Sequence, residues 1–115
     1  MRIPKQFQLY GQTIEVIYDN TLDYVDGRRG EADYRRNRIT LQAPGEMIPY
    51  PRSHLEQAFI HELVHFLFDM AGYDEDRRDE VKVERISNLL HQALTTMVLS
   101  AESISPINEG VDISA

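Results

Sequence analysis

The apolar residues of this chain recur with two different periods, and the change between them limits the folds that the chain can adopt. Between residues 5 and 19, apolar side chains alternate with polar ones, and the phase changes near Gly11, which predicts a β-hairpin. A second, shorter hairpin is predicted from residues 32–34 and 38–42. The proline-containing stretch 43–51 then interrupts regular structure. The N-terminal half is therefore expected to form a small antiparallel β-sheet.

From residue 53 onward the apolar residues recur at helical spacing. Ser53 and Glu56 match a capping box, and Gly72 is placed to end the helix, so we predict a helix over residues 54–71. A second helix is predicted over residues 79–100 from the same spacing of apolar residues, and its acidic start suits the positive end of the helix dipole.

The chain has 115 residues, a length that suits one domain. The prediction is an α+β fold over residues 1–100, in which the small N-terminal sheet packs on two main helices. The polar segment over residues 101–115 is expected to be a flexible tail.

Composition excludes several classes of protein. The chain has no cysteine, so a disulfide framework, a thiolate nucleophile and a cysteine-based metal site are all excluded. The net charge of −7 argues against non-specific binding to nucleic acid or to anionic membranes. That charge lies in the second half, because residues 1–52 carry 8 basic and 7 acidic side chains, whereas residues 53–115 carry 4 and 12. No signal peptide or apolar run of spanning length is present, and we expect a cytoplasmic protein.

One motif in the first predicted helix indicates chemistry. The sequence His61-Glu62-Leu63-Val64-His65 places two histidines at positions i and i+4, on one face of the helix, where both imidazoles can reach a single ion. Glu62 is then the candidate general base for a water nucleophile. Nitrogen and oxygen ligands suit Zn²⁺. The alternative is a core helix whose histidines and glutamate are satisfied by hydrogen bonds alone.

A catalytic zinc site usually has three protein ligands, and the third must come from elsewhere in the chain. Glu80, Glu84, Asn88 and His91 are spaced to share one face of the second helix. Glu84 is the preferred third ligand, since its helix is expected to pack antiparallel to the first. His91 is the competing candidate.

The motif His61-Glu62-Leu63-Val64-His65, followed by Glu84-Arg85-Ile86-Ser87-Asn88, resembles the gluzincin arrangement of small ImmA/IrrE-type metallopeptidases from phages and bacterial mobile elements. The resemblance covers residues 5–98 and implies a minimal zincin-like fold. It implies that His61, His65 and Glu84 hold Zn²⁺ and that Glu62 is catalytic. It also implies that the strand beside the active-site helix binds a peptide in extended form.

Two other zinc-dependent families share part of this pattern. The histidine pair followed by Gly72-Tyr73-Asp74 is similar to the YbeY endoribonuclease signature, but Ala71 occupies the position of that family's third histidine. SprT-like proteases use a downstream histidine, for which His91 is the candidate.

The predicted function is hydrolysis of a peptide bond in a protein substrate, such as a repressor encoded by a mobile element. The substrate class is implied by the resemblance. A non-enzymatic zincin-like binding or regulatory module, with a structural metal or none, is the alternative. Stabilisation of the oxyanion is assigned to Tyr34, Tyr73 or His91, without a choice among them. Asp69 is either an outer partner of a ligand imidazole or an ordinary polar residue.

Overall fold

The structure of the protein is a computed structural model that describes residues 1–22, 29–45 and 51–98. Among these residues, four strands come first: β1 (Gln6–Leu9), β2 (Gln12–Asp19), β3 (Gly30–Asp33) and β4 (Arg38–Gln42). Three helices follow: α1 (Arg52–Ala71), α2 (Asp74–Arg77) and α3 (Glu80–Thr96). The predicted α+β class is confirmed. The tail predicted over residues 101–115 lies outside the described residues.

The four strands form one mixed sheet in the order β1-β2-β4-β3. Both predicted hairpins are confirmed, because β1 pairs with β2 and β3 pairs with β4, each in antiparallel orientation. The prediction of a wholly antiparallel sheet is wrong, since β2 and β4 pair in parallel. The first strand of the second hairpin, β3, lies at the edge of the sheet. The chain then reverses, so that β4 lies between β3 and β2 and runs in the same direction as β2.

The turn of the first hairpin explains why the alternation of apolar residues changes phase there. Tyr10 and Gly11 have positive φ angles of 50° and 76°. Two consecutive residues with positive φ are typical of the two-residue hairpin turn whose twist matches that of the strands. This turn pairs Phe7 with Ile14.

Helix α1 begins earlier than its sequence predicts. Pro51, not Ser53, is the N-cap, and it has no side-chain cap. The predicted capping box is therefore wrong: the extended backbone of Pro51 presents its carbonyl oxygen to the N–H groups of His54 and Leu55, at 3.0 and 3.3 Å. The predicted end is confirmed, since Gly72 has a left-handed conformation with φ 83°.

A helix cap and a short helix organise the chain between α1 and α3. Asp79 caps α3 by accepting a hydrogen bond from the backbone N–H of Lys82 at 3.1 Å. The short helix α2, which the sequence analysis did not predict, lies between Gly72 and this cap. Helices α1 and α3 run antiparallel, because Glu56 meets His91 near one end of the pair.

The core lies between the sheet and α1, with α3 closing it. Its buried side chains come from β2, β4, α1 and α3: Ile14, Val16, Ile39, Leu41, Phe59, Ile60, Val64, Phe66 and Val83. Helix α1 contributes four of these nine, so it is the element around which the others pack. No helix among the described residues has the length and apolar character needed to cross a membrane.

A buried carboxylate joins α1 to α3 away from the cleft. Glu56 is 6% exposed. One carboxylate oxygen lies 3.0 Å from Nε2 of His91, and the other lies 3.4 Å from Nε of Arg52 and from the amine of Met1. The hydrogen bond with His91 is the main reason that the pKa of Glu56 falls below its ordinary value. The folded state therefore favours the ionised form of this group.

We expect Glu56→Gln to lower the free energy of unfolding at pH 7 by about 2 kcal/mol, as for the loss of a hydrogen bond to a charged group. Because the folded-state pKa is depressed, the contribution of the carboxylate is present above pH 4.5 and is lost as the pH falls through the lower folded value. Denaturant unfolding between pH 3 and 7 measures this. Glu75→Gln, at an exposed residue of α2, is the control. An equal loss at pH 3 and pH 7 would contradict the assignment.

Candidate metal centre

The two histidines of the motif lie on one face of α1, as the spacing requires. The ring centroids of His61 and His65 are 5.0 Å apart. The side chain of His61 is partly exposed, whereas His65 is buried. Burial is the main reason that the pKa of His65 lies below its ordinary value of 6.5. Its imidazole is therefore neutral at pH 7, the form that ligates metal ions.

A carboxylate of α3 contacts both rings. Glu80 places one oxygen 3.1 Å from Nε2 of His61 and the other 3.3 Å from Nε2 of His65. One ligand atom from each of these three residues can be chosen so that all lie within 4.8 Å of one another. Ligand atoms about 2.1 Å from a tetrahedral zinc ion lie roughly 3.4 Å apart. These three residues could hold a metal ion, and their nitrogen and oxygen donors are of the kind that suits Zn²⁺.

Glu84 contacts the other nitrogen of His61. Its Oε1 atom lies 2.9 Å from Nδ1, one turn along α3 from Glu80. Both ring nitrogens of His61 thus face carboxylate oxygens, although a neutral imidazole carries only one N–H group. A proton on Nδ1 that is donated to Glu84 leaves Nε2 free for an ion. In this arrangement Glu84 orients the imidazole, as outer carboxylates commonly do in zinc sites.

His91 lies outside this cluster. Its Nε2 atom pairs with Glu56, and it does not line the cleft beside His61. The geometry therefore does not support His91 as the third ligand. The direct contact of Glu80 with both rings is the feature that sequence reasoning missed, although Glu80 shares the helix face of Glu84.

The histidines and Glu62 line a cleft of about 590 Å³ between α1, α3 and the edge strand β3. Glu62 is 8% exposed. A Cβ atom at Gly30 of β3 would lie 3.0 Å from Cγ and 3.1 Å from Oε2 of Glu62. Gly30 therefore leaves the space that the Glu62 side chain occupies. In the sequence this glycine is marked only by the pair of small residues Gly30 and Ala32 on one face of β3.

Of the three candidates for stabilising an oxyanion, Tyr34 lines the cleft. Tyr73 is 58% exposed and packs edge-on against Phe68, and His91 contacts Glu56. Burial is the main cause that raises the pKa of the Tyr34 hydroxyl, against the opposing influence of Arg77. Tyr34 therefore keeps its proton at neutral pH and is available as a hydrogen-bond donor.

Asp69 does not serve as a partner for His65. Its carboxylate lies 3.7 Å from Nε of Arg77. Nδ1 of His65 is buried and has no hydrogen-bond partner among the described residues. These contacts are consistent with the interpretation of Asp69 as an ordinary polar residue near the helix end.

Comparison of the chain with family models, with curated proteins and with solved structures finds no match in any of the three.

We expect Glu80→Gln and Glu84→Gln to lower zinc affinity unequally. Loss of an outer carboxylate typically costs about 10- to 100-fold in metal affinity, and this is the expectation for Glu84→Gln. Glu80→Gln would remove one of the three candidate ligands and should cost more. Competition with a fluorescent zinc chelator measures both constants, with Glu75→Gln as the control. The opposite order would make Glu84 the direct ligand, as the family resemblance implies.

Proposed function

We propose that the chain is a zinc-dependent peptidase that hydrolyses a peptide bond in a protein substrate. The observation that carries the proposal is the grouping of two histidines and a carboxylate beside a buried glutamate in an open cleft. His61, His65 and Glu80 would hold the ion, and Glu84 would orient His61. Bound zinc supplies Lewis acidity at this position, polarising the scissile carbonyl.

Side chains of the cleft would carry out proton transfer and stabilise the oxyanion. Glu62 accepts a proton from the attacking water and delivers it to the nitrogen of the leaving amine. Tyr34 donates a hydrogen bond to the oxyanion that develops on the scissile carbonyl, since its hydroxyl stays protonated. Gly30 leaves room for the carboxylate of Glu62.

The exposure of the two carboxylates beside the histidines favours an enzyme over a module with a structural metal. Structural zinc sites are closed by four protein ligands, whereas catalytic sites keep a position open. The side chain of Glu80 is 67% exposed and that of Glu84 is 59% exposed, so the site opens to solvent. A structural metal site would need the histidine pair but not a general base at Glu62. The resemblance to peptidases of mobile elements makes a repressor the substrate that we propose first.

Zinc content and turnover test the proposal together. Purified protein should contain about one zinc ion per chain, and His61→Ala should lose it. Glu62→Gln should retain the metal and lose hydrolysis of a quenched fluorescent peptide library by at least about 100-fold, as for removal of a general base. Metal-free wild-type protein would overturn the site, and unchanged hydrolysis by Glu62→Gln would overturn the mechanism.

We expect Gly30→Ala to slow hydrolysis while zinc affinity stays unchanged. The added methyl group would contact Cγ and Oε2 of Glu62 and displace its carboxylate. Misplacement of a catalytic group by a fraction of an ångström should cost about tenfold or more in kcat. Gly45→Ala is the matched control, because a Cβ atom there meets nothing within 4 Å. Equal turnover in the two variants would show that Glu62 tolerates the displacement.

A further inference from the structure

The position of Glu80 depends on the connector between α1 and α3. This connector, residues 72–79, contains α2 and ends at the cap of α3. Glu80 is the first residue of α3, and its side chain is 67% exposed. Packing around the side chain therefore contributes little to its placement. The backbone of the connector, together with the packing of Val83 in the core, places the first turn of α3 where the carboxylate reaches both histidines.

Arg77, in the last turn of α2, is the connector residue with the most unusual surroundings. Its side chain is 22% exposed, and its Nε atom is buried without a hydrogen-bond partner among the described residues. The nearest carboxylates, of Asp69 and Asp74, lie 3.7 and 3.9 Å from Nε, beyond hydrogen-bond range. A buried guanidinium costs free energy unless it is well paired. The partly buried side chain of Arg77 interacts with these two carboxylates and with the side chain of Tyr34.

The Arg77 guanidinium also lies over an aromatic ring. Its Cζ atom is 4.9 Å from the centroid of Tyr34, within the range of a cation–π contact. Tyr34 lies in the turn between β3 and β4 and packs edge-on against Phe66 of α1, with centroids 5.1 Å apart. Arg77 therefore links the connector to the sheet through Tyr34 and to α1 through Asp69.

We propose that Arg77 is a positioning residue for the metal centre. By fixing the connector against Tyr34 and Asp69, it holds the first turn of α3 so that Glu80 meets His61 and His65. This inference rests on the metal site of the proposed function. It assigns part of the zinc affinity to an arginine whose side chain is not itself a ligand.

The experiment compares Arg77→Gln with Arg78→Gln in the full chain, using Zn²⁺ and a competing fluorescent chelator. Arg78 is exposed and directly follows Arg77, so its replacement removes the same charge from the same connector. Arg77→Gln should weaken zinc binding about tenfold or more, the lower end of the range for outer residues of metal sites. Arg78→Gln should leave it unchanged. Equal affinities for the two variants would overturn the proposal.

A double-mutant cycle with Glu80→Gln shows whether Arg77 acts through Glu80. In the Glu80→Gln background, Arg77→Gln should have little further effect on zinc affinity, because the group that it positions is gone. Full additivity of the two losses would overturn the proposed role. A general loss of folding is detected by denaturant unfolding of the metal-free variants.

If Arg77→Gln does not fold, Asp69→Asn tests the same contact by weakening the anchor of Arg77 on α1. It should lower zinc affinity by less than tenfold when Glu80 is intact. It should have no effect on zinc affinity in the Glu80→Gln variant. No effect in either background would overturn the proposal. Failure of wild-type protein to bind zinc would refute the proposed function itself, whereas wild-type binding with unchanged variants would refute only the role of Arg77.

Discussion

The structure depends on the packing of the sheet and α3 against helix α1. This packing buries ionisable side chains of α1 as well as apolar ones. Glu56, Glu62 and His65 are all buried on this helix. Such groups destabilise a core unless they have partners. Helix α3 supplies two of these partners, since His91 meets Glu56 and Glu80 meets His65. The antiparallel packing of the two helices therefore buries apolar side chains and compensates polar ones through the same register.

The sequence predicts the elements that local signals specify. Both hairpins, the end of α1 at Gly72 and the helical nature of the second half follow from periodicity and from single residues. The parallel pairing of β2 with β4 could not be predicted, because it depends on a connection between distant parts of the chain. The motif of α1 identifies His61 and His65. The choice between Glu80 and Glu84 depends on the offset of two packed helices, which no local pattern contains.

The acidity of the C-terminal half has several local roles. Glu80 and Glu84 contact the imidazoles of the cleft. The first turn of α2 carries three acidic residues at the positive end of the helix. Asp76 pairs with Lys82, and Asp69 lies near Arg77. Net charge argues only against some classes of partner, whereas the function that we propose depends on two carboxylates that contact histidines.

The left-handed conformation of Gly72 has a consequence for the coupling between folding and ion binding. A side chain at φ 83° costs about 1 kcal/mol or more, and a helix that continued past this point would redirect the chain leading to Glu80. An ion that needs Glu80 in place would bind only molecules in which the helix ends here. Its binding energy would then add to the stability of that ending. Local unfolding at the end of α1 and release of the ion would consequently be thermodynamically linked.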